Sequence, residues 1–88
     1  MNNSFDEEFE GEERMVVDDD LEMLREDLIG ELQAINQYQQ HILSLENEEP
    51  VAILEHIIEE EKEHVAELLA LIQDLDPVQA EKFKRHIL

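Results

Sequence analysis

The chain has no cysteine. That excludes disulfides, thiolate zinc sites and iron–sulfur clusters, and any metal must be held by oxygen and imidazole. Positive charge is scarce as well, with 6 Lys and Arg against 25 Asp and Glu and a formal net charge of −19. Nucleic acid and anionic membrane are therefore poor partners, and cations are the natural ligands. No apolar run approaches the roughly 20 residues of a membrane span, and the acidic N-terminus is unlike a signal peptide. A soluble, cytoplasmic protein is the expectation. Length is the last shortage, because 88 residues make one small domain whose core is marginal unless self-association supports it.

Charge is unevenly spread. Residues 1–20 hold nine acids against Arg14, with no apolar period, and 1–18 reads as an acidic, disordered tail. From Asp18 onward Leu, Glu, Gln and Ala dominate and Gly30 is the one glycine, which is helix-forming material throughout 19–88. Pro50 follows the polar stretch Glu46-Asn47-Glu48-Glu49 and suits the first turn of a helix, so a turn near 46–50 divides two long helices. Asp76-Pro77 marks a second boundary, with Asp76 as N-cap, Gln79 placed to complete a capping box and a short helix over about 77–86. The fold class is all-α, an antiparallel two-helix hairpin plus a short C-terminal helix.

Spacing carries most of the information. In the first helix Leu21, Leu24, Leu28, Glu31, Ile35, Tyr38, Ile42 and Leu45 alternate steps of three and four, which defines one inward stripe. Leu54, Ile57, Glu61, His64, Leu68, Leu71 and Leu75 do the same in the second. Glu31, Glu61 and His64 are the ionisable interruptions, and an unpaired charge within an apolar seam is costly. All three lie about 20 Å from the turn at 1.5 Å per residue, so an antiparallel hairpin brings them to one level.

Glu61 and His64 form Glu-x-x-His, a spacing that lets both side chains face one ion. Glu31 adds an oxygen from the neighbouring helix. The di-iron carboxylate arrangement takes one glutamate from each of two helices and Glu-x-x-His from each of two more. This chain has one of each, so a twofold-related pair of chains would complete a site of four carboxylates and two histidines. Such ligation suits iron, with manganese or zinc as substitutes, and the expected chemistry is oxidation of two Fe(II) by dioxygen. Tyr38 is a candidate for the shell around the ligands. His41, His56 and His86 have no partners at ligand spacing and read as surface or packing residues. Gly30 lowers helix stability by about 1 kcal/mol relative to alanine and suits close helix approach beside the site.

The segments Gly30-Glu31-Leu32-Gln33-Ala34-Ile35-Asn36-Gln37-Tyr38, Glu59-Glu60-Glu61-Lys62-Glu63-His64 and Leu75-Asp76-Pro77 resemble the encapsulated ferritins, over about residues 20–86. The resemblance implies a protomer that dimerises into a ferritin-like four-helix bundle, with Glu31, Glu61 and His64 of both chains as iron ligands and Tyr38 nearby. It further implies ferroxidase activity in iron storage or detoxification, a ring of dimers and a location inside an encapsulin nanocompartment, the shell protein being a partner. A non-catalytic helical interaction module is the reading from another class, and a rubrerythrin-like peroxidase or manganese protein is a third.

Overall fold

A computed structural model describes residues 12–87, which form three α-helices: α1 Glu12–Ser44, α2 Glu48–Leu75 and α3 Pro77–His86. Helix α1 starts inside the stretch read as the acidic tail, and the rest of that stretch, 1–11, lies outside the described residues. At 1.5 Å per residue α1 and α2 are about 50 and 42 Å long. The described residues contain no strand.

The turn is shorter than expected, only 45–47. It closes α1 through the Leu45 amide, which donates to the carbonyls of His41 at 3.1 Å and Ile42 at 3.4 Å. Asn47 is extended at the N-cap of α2 without a side-chain capping bond. Glu48 and Glu49 supply negative charge to the helix start, and Pro50 falls in the first turn, where its missing N–H leaves no bond unmade.

At the other end Asp76 serves two helices at once. Its backbone N–H donates to the Ile72 carbonyl at 2.8 Å and ends α2, while its Oδ1 accepts from the Gln79 amide at 3.0 Å and begins α3. The capping box therefore forms in one direction only, because the Asp76 amide that a Gln79 side chain would need is already committed to Ile72. Arg25 Nη2 donates to Asp76 Oδ2 at 3.0 Å across 51 residues of sequence and ties this corner to α1.

The protein is a plate one helix thick, with extents of 62 × 28 × 14 Å. Among the described residues only Leu21, Ile58 and Ile72 are buried. In α1 the expected stripe is at least half-buried from Leu21 to Ile42, and Leu45 is exposed. Helix α2 departs from the reading. The side turned to α1 centres on Ile58 and Ile72, while His64 and Leu71, assigned to the inward stripe, are exposed. Apolar residues cover more of α2 than one stripe, so one apolar side packs on α1 and the adjacent side stays open. His64 belongs to that open side, with Ile57 and Leu71 seven residues away and Ile53 about 20° round the helix from it.

A stable domain needs two packed layers, each hiding the apolar face of the other. One layer is all this hairpin has. Ile53 and Leu71 are 54% and 48% exposed on the side of His64.

Candidate metal centre

Antiparallel pairing puts Glu31 of α1 opposite Glu61 and His64 of α2. One ligand atom from each lies within 4.8 Å of the other two, as the common level read from the sequence requires. His64 Nδ1 is 3.4 Å from Glu31 Oε1 and 3.8 Å from Glu61 Oε1. Both distances exceed those of good N–H···O bonds, so the three are neighbours without satisfying one another. Glu31 Oε2 is buried and has no hydrogen-bond partner among the described residues. The Glu61 and Glu31 side chains are 17% and 25% exposed, and the imidazole is 48% exposed at the open side.

An orphaned carboxylate oxygen needs a cation or a donor. Hard oxygen donors joined to one imidazole suit iron, manganese or zinc, whose bonds to such donors are about 2.0–2.2 Å in the zinc case. Atoms gathered within 4.8 Å come close to sharing one ion of that kind, with small side-chain rotations supplying the rest. The donor set thus fits a metal, and it fits incompletely, since three donors leave positions open.

Around the triad is an open cavity of about 700 Å³, lined by Glu26, Asp27, Gly30, Glu31, Glu61, His64, Glu67 and Leu68. Five carboxylates and no Lys or Arg face it, so its field draws cations. Glu26, Asp27 and Glu67 were missed in the sequence reading. Their signal was available, because Asp27 is four residues before Glu31 and Glu67 three after His64, spacings that share a helix face.

Tyr38 is half-buried seven residues beyond Glu31 on the same side of α1, and no hydrogen bond to the triad exists among the described residues. Among the described residues nothing lies within 4 Å of where a side chain at Gly30 would begin, so neither α2 nor α3 makes the expected close approach there. His41, His56 and His86 stay outside the triad and are exposed, His56 lying 3.4 Å from Glu60.

The chain matches the family model described as EncFtn-like over residues 3–88. It is 44% identical over 64 residues to the encapsulin nanocompartment cargo protein EncC of Myxococcus xanthus, covering 73% of this chain and 49% of that protein. Identity to the ferritin-like-encapsulin shell fusion protein of Pyrococcus furiosus is also 44% over 64 residues, 73% of this chain and 19% of that one. The cargo protein EncB of Myxococcus xanthus is 36% identical over 67 residues, 76% of this chain and 42% of the relative. The chain thus spans at most about half the length of these curated relatives. No solved structure matches it.

Proposed function

This chain belongs to the EncFtn-like family, and from that premise we propose that two copies pair through the open face bearing Glu31, Glu61 and His64 and together oxidise Fe(II). The observation that carries the reading is Glu31 Oε2, buried without a partner on the open side of a plate 14 Å thick. A second hairpin laid over that side would cover Ile53, Ile57 and Leu71, supply the missing layer and bring three more donors to the cavity. The pair would hold four carboxylates and two imidazoles.

In that site the residues hold and neutralise their substrate. Two ferrous ions give one electron each to dioxygen, which with two protons leaves as hydrogen peroxide, the two-electron product. Four carboxylates favour this direction because anionic oxygen stabilises Fe(III) over Fe(II). Glu61 and His64, three residues apart on one helix, hold their donors in fixed relation, and Glu31 from α1 fixes the distance between helices. The rim acids Glu26, Asp27 and Glu67 raise the local concentration of divalent cations. Tyr38 lies on the covered side, in the shell around the ligands.

Relatives named as encapsulin cargo and as a shell fusion support the wider proposal that this chain works inside an encapsulin shell within the cytoplasm; its assembly there as a ring of dimers is part of the proposal that rests on the family alone. No helix of the described residues is long and apolar enough to cross a membrane.

The test is iron stoichiometry, Fe(II) oxidation and assembly mass for the wild type and for Glu31→Ala, Glu61→Ala and His64→Ala. One iron per chain in a dimer or multiple of dimers is expected, with oxidation reduced in each variant by at least the roughly 10–100-fold that loss of even an outer-shell partner of a metal ligand costs. Equal stoichiometry and turnover in all four proteins would remove the reading.

A further inference from the structure

Gly30 lies in the middle of α1, where glycine costs backbone entropy and adds no side chain to packing. A close contact with α2 or α3 would account for it, yet among the described residues nothing lies within 4 Å of where its Cβ would stand. The free space belongs to the open cavity of about 700 Å³ that Gly30 lines beside Glu31.

Helical side chains lean toward the N-terminus, so a side chain at position 30 would cover positions 26 and 27, one turn back. Those positions hold Glu26 and Asp27, both exposed and both lining the cavity. Glu67 of α2 lines it as well, and no Lys or Arg does. A helix of a second copy crossing over Gly30 would cover these carboxylates with no cation to pair them, which is a desolvation and like-charge cost. Water and a hydrated cation meet no such cost. An octahedral divalent ion carries six waters, which at about 30 Å³ each occupy about 180 Å³ and leave room to spare in the cavity.

We propose, on the reading of Glu31, Glu61 and His64 as metal ligands, that Gly30 keeps the approach to them clear. Its missing side chain leaves the way past Glu26 and Asp27 to the Glu31 carboxylate open to hydrated divalent cations. It therefore sets how fast they arrive and not how tightly they are held. Glycine supplies no charge, so the attraction comes from the acids and the clearance from position 30.

The chain has one tyrosine and no tryptophan. Tyr38 is about 10 Å along α1 from Glu31, so stopped-flow quenching of its fluorescence by Co(II), without oxygen, reads metal arrival in the full protein. Gly30→Leu should slow association several-fold and leave the end-point stoichiometry, the affinity and the assembly mass as in the wild type. Gly30→Ala, which adds one methyl, should associate nearly as fast as the wild type and raise the Tm of the metal-free protein by several degrees. The salt dependence of the rate should be the same in all three, because no charge is altered. A leucine variant that associates as fast as the wild type would overturn the proposal. So would an alanine variant of altered assembly mass, which would make Gly30 a packing contact between copies. Co(II) that binds the wild type no better than Glu61→Ala and His64→Ala would instead remove the metal reading itself.

Discussion

Two places on the hairpin bring carboxylates to a junction of helices, and they differ in how those carboxylates are satisfied. At the α2–α3 corner Asp76 is complete within its own chain, with Oδ1 accepting from the Gln79 amide, Oδ2 accepting from Arg25 and the backbone amide donating to Ile72. In mid-hairpin Glu31, Glu61 and His64 meet at 3.4–3.8 Å, and Glu31 Oε2 has no partner. Identical chemistry therefore has two meanings. A polar group whose partners are all present is part of the scaffold, and one left short of partners where apolar side chains lie bare is where the proposed second copy and its metal would act.

That contrast can be broken most directly with metal. A divalent ion at 100 times its Kd should stabilise the wild type by about 2.7 kcal/mol, read as a shift in Tm under anaerobic Fe(II) or with zinc. Asp76→Ala should show the same shift, and Glu61→Ala and His64→Ala should show none. A metal response that survives in the triad variants would erase the distinction between the two places.

Next in size is the corner itself. Asp76→Ala removes a cap and an ion-pair partner and should lower stability by about 1–2 kcal/mol without metal, measured by denaturant unfolding. Glu31→Leu should act in the opposite sense. Replacing an unsatisfied carboxylate in an apolar stripe by a leucine removes a desolvation cost, and the metal-free protein should gain about 1 kcal/mol. A loss of stability there would mean that Glu31 is already satisfied. The smallest effect belongs to Arg25→Ala, whose guanidinium pairs with Asp76 while its side chain is 54% exposed. A loss of about 0.2–1 kcal/mol is expected, and it should shrink in high salt.

Much of this contrast was readable before any coordinates. Pro50 and the Asp76-Pro77 pair marked the helix boundaries, because a residue without an N–H is accommodated at a helix start and resisted inside. The convergence of Glu31 with Glu61 and His64 followed from counting residues on either side of one turn. The rotation of α2 did not follow. Its apolar residues span more than one stripe, so period alone left two ways to orient the helix, and Ile58 and Ile72 took the contact that Leu71 and His64 had been assigned. The Arg25 to Asp76 contact was equally hidden, as nothing local links positions 51 residues apart.

By itself the amino-acid order determined three helices, the Asp76 cap and the level at which an imidazole and two carboxylates meet, since each depends on local propensity and a fixed rise per residue. Tertiary structure alone decided which side of α2 faces α1, and so which apolar side stays bare beside the triad. That choice rests on the summed packing of many side chains across the hairpin, a quantity that no local stretch of sequence contains.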